Sequence, residues 1–158
     1  MKINGKKITG ANETFIVIPR DNADNIIFKA RAILDMEEFE NMCPAPEPPI
    51  RKYANGREQR NVKDPGYTQQ MNNHSALRLS WIVLMSLSAT DDLVWENLDI
   101  TDPTTWNSFR TELTEAGFST IEINRIIADC LEVNALNEEK IEAARELFLL
   151  QAQEQADE

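Results

Sequence analysis

From Ala76 to Ser88 the chain reads as a helix that is apolar nearly all the way round. Such a helix has no solvated side and must be enclosed by other elements. The run therefore predicts a central buried helix with the rest of the chain arranged about it. Its apolar stretch, Leu77 to Leu87, is too short to span a bilayer and is interrupted by Arg78, Ser80 and Ser86, so it is read as core, and no membrane anchor is expected. A chain of 158 residues, 42% apolar and 27% charged, has ordinary globular proportions and can supply that enclosure as one domain.

The N-terminal part, residues 1–43, reads as a β-hairpin and a short helix. Phe15-Ile16-Val17-Ile18 and Ile26-Ile27-Phe28 are β-branched and aromatic, and the polar turn formers Pro19 to Asn25 separate them. Asn4-Gly5 predicts a smaller turn upstream, between Ile3 and Ile8. An isolated hairpin is marginal in water, so this one is expected to pack on helices. Asp35 with Glu38 predicts a helix start, stapled by Leu34 and Phe39, and Pro44 ends that helix. Residues 44–66 form a long Pro-rich loop, and its opening cluster, Pro-Ala-Pro-Glu-Pro-Pro, favours an extended, polyproline-like backbone. Loops of this length are uncommon unless they carry function or are disordered.

Residues 67–158 are read as a helical bundle. Asp102-Pro103 predicts a helix start and Gly117 its stop, with Trp106, Phe109 and Leu113 at helical spacing between them. Ser119 and Glu122 form a capping box, stapled by Phe118 and Ile123, ahead of an apolar face of Ile123, Ile126, Ile127, Cys130 and Leu131. Asn137 is expected to cap the last helix, with Leu136 and Ile141 as staple and Ala144, Leu147, Phe148 and Leu150 on its apolar side. The fold class expected is α+β, mainly α: an N-terminal β-hairpin, a small antiparallel sheet, packed on a C-terminal helical bundle.

Net charge is −11, and it is unevenly placed: residues 1–60 carry ten Lys/Arg and nine Asp/Glu, residues 61–158 six and eighteen. Nucleic-acid affinity comes largely from Lys/Arg neutralising phosphates, so no nucleic-acid partner is expected. The same repulsion argues against an anionic membrane. No signal peptide is read in the polar, Lys-rich first ten residues, and the two cysteines, Cys43 and Cys130, are expected to be free, buried thiols in a reducing cytosol. Cys130 lies between Asp129 and Glu132, the wrong setting for a reactive thiolate. The one histidine, His74, has no local orienting partner and is read as a surface or capping residue. The pairs Asp91-Asp92 and Glu138-Glu139 are placed at helix starts and Asp157-Glu158 at the chain end, and none matches a calcium loop. No glycine-rich phosphate loop occurs among five glycines. No catalytic, metal or cofactor-binding residue is assigned, and an enzyme is not expected.

The Pro-rich loop is where the sequence leans toward function. Arg51, Lys52, Tyr53, Arg57 and Arg60 cluster there, opposite in sign to the acidic bundle, as a partner-binding arm or as a loop docked on the protein's own acidic surface. Trp81, Trp95 and Trp106 are read as core residues, and Trp95, in the apolar connector Leu93-Val94-Trp95-Glu96, is also a candidate contact if partly exposed.

Thr14–Cys43 resembles the hairpin-plus-helix openings of small tail-gene products of tailed bacteriophages. Ile121–Leu150 is similar to the helical end of tail assembly chaperones, through residues 133–139, Val-Asn-Ala-Leu-Asn-Glu-Glu, and 143–149, Ala-Ala-Arg-Glu-Leu-Phe-Leu. The resemblance implies an assembly factor that binds tape-measure and tail-tube proteins in the cytoplasm of an infected bacterium, with homo-oligomers allowed. It transfers no functional residue, and the long Pro-rich loop departs from the pattern. That departure leaves room for a minor virion structural protein. An acidic decoy that blocks a host nuclease is the other reading, although it needs carboxylates along one exposed face.

Overall fold

The helix at the centre begins earlier than its apolar pattern. In a computed structural model, which describes residues 1–135 and 138–156 and side chains as far as residue 149, helix α2 runs Pro65–Leu87. Asp64 is extended, its carboxylate accepts the Tyr67 N–H at 2.9 Å, and Pro65 takes the first helical turn, where a missing donor costs nothing. The polar stretch Gln69–Asn73 forms its solvated early turns. Burial is confined to the other end, at Ser80, Trp81, Val83, Leu84, Ser86 and Leu87.

Four strands open the chain. Lys2–Ile3 (β1) and Lys6–Lys7 (β2) close over Asn4 and Gly5, whose φ values of 50° and 77° fit the tight turn expected there. Glu13–Ile18 (β3) and Ile26–Arg31 (β4) form the main hairpin, with Thr14 opposite Ala30, Ile16 opposite Phe28 and Ile18 opposite Ile26. Alternation sends Ile16, Ile18, Phe28 and Ala30 into the core. They pack on α2 and on α4 (Thr120–Asn134).

Between the hairpin and α2 lies α1, Glu37–Met42. Asp35 accepts the Glu37 N–H at 2.8 Å, but it stands before the N-cap, Met36, and no capping box with Glu38 forms. The staple fails too, because Leu34 is 85% exposed while Phe39 is buried against Trp81 and Trp106, with ring centroids 5.7 and 6.2 Å away. Tertiary packing, not a local staple, seats this helix.

Asp102-Pro103 opens a turn rather than a helix. The Asp102 carboxylate accepts the Thr104 N–H and hydroxyl at 3.0 and 2.7 Å, and a 3-10 turn at Trp106–Ser108 leads into α3, Phe109–Glu115. Gly117, at φ 94°, ends α3 in a Schellman arrangement: Phe118 N–H bonds Leu113 O and Gly117 N–H bonds Thr114 O, each at 3.0 Å. Ser119 and Glu122 make the predicted capping box on α4. Its buried face is Ile123, Ile126, Ile127, Cys130 and Val133. Leu131 is displaced from that face by Val133, which lies one helical step on from Cys130.

Two expectations for the remainder are corrected. Asp91-Asp92 does not start a helix; it follows α2 in a turn, with Asp92 at φ 59°. The last helix, α5 (Glu138–Ala156), is not a bundle member: Ala144, Leu147, Phe148 and Leu149 are exposed, since Glu142, Arg145 and Glu146 leave too narrow an apolar stripe to bury. Its start is held by Lys140, whose ammonium donates to Glu132 O at 2.8 Å. The predicted cap Asn137, its staple residue Leu136, the Leu150 side chain and Asp157-Glu158 lie outside the described residues. The protein is thus mainly α with small two-stranded antiparallel sheets, the N-terminal hairpin packed on α2 and α4.

Candidate functional site

Residues 44–66 are not a structureless loop. Tyr53 N–H donates to Arg57 O at 2.8 Å, Gly56 takes the left-handed φ of 79° that the turn requires, and Asn55 accepts the Arg57 N–H. This turn joins β5 (Ile50–Lys52) to β6 (Glu58–Arg60) in a short antiparallel hairpin, and Asn61 N–H bonding to Pro49 O at 2.8 Å closes its base. The proline cluster before Ile50 is neither helix nor strand.

The hairpin brings most of the predicted contact residues together. Arg51 lies over the Tyr53 ring at 5.3 Å, and the Tyr53 hydroxyl reaches Gln59 at 3.3 Å, so these three share one face. Lys52 pairs with Glu58 at 3.3 Å on the other. Arg51, Tyr53, Gln59, Arg60, Asn61 and Lys63 line a shallow concavity of about 200 Å³. All six strand residues are exposed, and the two strands pair only with each other. Over residues 50–63 there are five cations against one carboxylate, Glu58. Among the described residues, Arg57, Arg60 and Lys63 enter no salt bridge. A loop docked on the protein's own acidic surface is not what forms.

Trp95 lies elsewhere. It is half-buried at the C-terminal end of α2, whose 23 residues span roughly 34 Å. There Leu84, Met85, Leu93, Val94, Trp95 and Leu98 line an apolar groove of about 770 Å³, with Val94 80% exposed. Glu112 of α3 holds the groove's wall in place, its two carboxylate oxygens accepting the N–H groups of Glu96 and Asn97 at 2.8 and 2.7 Å. Sequence reading has no signal for that bond, which joins positions sixteen and fifteen residues apart. Trp81 and Trp106 are core residues, 1% and 0% exposed.

The titratable groups are structurally engaged. His74 Nε2 sits 3.0 Å from the carbonyl of Cys43, the C-cap of α1, and its ring lies 5.3 Å from that of Phe39. It caps α1 from α2, a partner distant in sequence. Burial, reinforced by Asp129, pushes the Cys130 thiol up to about 12, and burial raises Cys43 too. Hydrogen bonds from Lys29 and Arg31 lower Glu13, whereas Glu122 is lowered first by the Ser119 backbone N–H and then by Arg20. Among the described residues no three His, Cys, Asp or Glu side chains gather to hold a metal ion, and no helix is long and apolar enough to cross a membrane. Comparison of the chain with protein-family models, curated proteins and solved structures finds no match.

Proposed function

We propose that the protein is a protein-binding assembly factor of a tailed phage, a tail assembly chaperone that acts on tape-measure or tail-tube proteins, with the β5–β6 hairpin as its capture arm. The observation that carries this reading is the hairpin itself: a cationic, aromatic-bearing element that stands apart from an acidic body. Opposite charge steers encounter, Tyr53 supplies a low-entropy anchor, and a hairpin already folded loses little freedom on docking. The family part of the reading comes from the resemblance of Thr14–Cys43 and Ile121–Leu150 to tail-gene products.

The test replaces Glu47–Arg60 with a short Gly-Ser linker. Because the hairpin's strand residues are all exposed and its strands pair only with each other, the melting temperature should stay within a few degrees of the parent, loop-length terms being small. Capture of co-expressed tape-measure and tube subunits should be lost, and the same pull-down from infected cells, read by mass spectrometry, identifies the partner. Undiminished capture would move the interface off the hairpin. A collapse of stability would make the hairpin structural.

A further inference from the structure

The two edges of the β3–β4 sheet are treated differently. Ala32 N–H donates to Asn12 O at 2.8 Å, so ladder bonds fall on the pairs Thr14–Ala30, Ile16–Phe28 and Ile18–Ile26. The backbone groups of odd-numbered residues therefore point out of the sheet. On β4 that edge is closed: the Thr90 hydroxyl both accepts the Lys29 N–H at 2.9 Å and donates to Lys29 O at 3.0 Å, and Asn134 Oδ1 accepts the Ile33 N–H just beyond the strand. On β3 it is open. Among the described residues nothing bonds the outward N–H and C=O groups of Glu13, Phe15 and Val17. The strand, Glu-Thr-Phe-Ile-Val-Ile, has no proline, glycine or lysine of the kind that blunts an edge. Its Phe15 and Val17 side chains are 67% and 51% exposed, and a cleft of about 330 Å³ runs beside it, bounded by Arg125 and Asp129 of α4.

We propose that this edge pairs with the same edge of a second copy, antiparallel about a two-fold axis at Phe15. Only an extended backbone can satisfy such a row of groups, and β3 is its own complement. With Phe15 opposite Phe15 of the other copy, Glu13 falls opposite Val17, and all three outward residues of each strand are bonded at once. The layer beneath accommodates the pairing. α4 packs under both β3 and β4, and a two-strand repeat is about 10 Å, which is the spacing of neighbouring packed helices. The two α4 helices thus come side by side beneath a four-stranded sheet. The hairpin β5–β6 takes no part, so this inference is independent of the capture reading.

Sedimentation equilibrium of the full chain, run over a range of concentrations, should show a dimer. Phe15→Lys and Phe15→Pro should each weaken association at least tenfold while the melting transition of the dilute protein is kept; proline removes only an outward donor that the β3–β4 ladder does not use. Phe15→Cys should cross-link to a dimer under mild oxidation, because bonded antiparallel pairs lie about 5.5 Å apart at Cα, within disulfide reach. The native thiols are buried and contribute no background. A protein that stays monomeric at the highest concentration overturns the proposal. So does a dimer that survives both substitutions or fails to cross-link through position 15, and neither result bears on hairpin-dependent capture.

Discussion

Asn134, the last residue of α4, joins three elements, and its loss should cost about 3 kcal/mol. Its Oδ1 accepts the Ile33 N–H at 2.7 Å, and its Nδ2 donates to the Ser86 hydroxyl of α2 at 2.8 Å and to Cys130 O at 2.7 Å. Asn134→Ala leaves two groups without these partners, the Ile33 amide and the hydroxyl of Ser86, which is wholly buried. A buried group left unbonded costs roughly 1–3 kcal/mol, and Asn134 is half-buried, so the lower half of the summed range applies. For a domain of marginal stability this is a large fraction of the total. Ser86→Ala added to Asn134→Ala removes one orphan, so the double variant should be destabilised by less than the sum of the singles, by about 1 kcal/mol. Asn134→Asp keeps the acceptor for Ile33 but loses both donors, and should fall between the parent and the alanine variant. Urea unfolding at equilibrium, with an unchanged slope, gives all four values. A cost below about 1 kcal/mol for Asn134→Ala, or strict additivity with Ser86→Ala, would refute the view that this amide clamps β4, α2 and α4 together.

Leu84→Asp places an unpaired carboxylate at a position 2% exposed and should abolish cooperative melting; a soluble variant with the parental transition would contradict the core assignment. Glu122 is held below its ordinary value by Ser119 and Arg20, so its contribution is present above the unfolded carboxylate's pKa and is lost as pH falls through the folded one. Glu122→Gln should therefore destabilise at pH 7 and be nearly neutral at pH 2, as measured by paired melts. With the Cys130 thiol pushed up to about 12 and Cys43 also raised, Ellman's reagent at pH 8 should label neither until denaturant is added. Fast labelling of the native protein would show that one of these helices opens.

What the residues determine alone is what is decided within a few positions of the chain. Ser119 and Glu122 cap α4, Gly117 terminates α3, Asn4-Gly5 turns β1 into β2, and the β-branched and aromatic run Phe15 to Ile18 makes a strand, because each is a bond or a backbone preference spanning at most five residues. The Asp64-Pro65 start of α2 is equally local, although apolar periodicity does not see it; Asp102-Pro103 carries the same pair and yields only a turn. Their different outcomes show that the pair by itself does not decide whether a helix starts there. The charge separation between residues 50–63 and the rest is likewise in the composition, and so is the candidate arm, but the hairpin that rigidifies it depends on Tyr53 meeting Arg57. Tertiary structure alone decides which surfaces are left open. Whether Leu147 and Phe148 are covered, whether Trp95 meets the arm, and whether β3 has a closed edge depend on which side chains arrive from elsewhere. Thr90 reaches β4 and Asn134 the residue Ile33 just beyond it, sixty-one and one hundred and one residues along the chain from their partners, and among the described residues nothing comparable reaches β3. Burial and edge pairing are sums over neighbours distant in sequence, and no local pattern in a single chain encodes them.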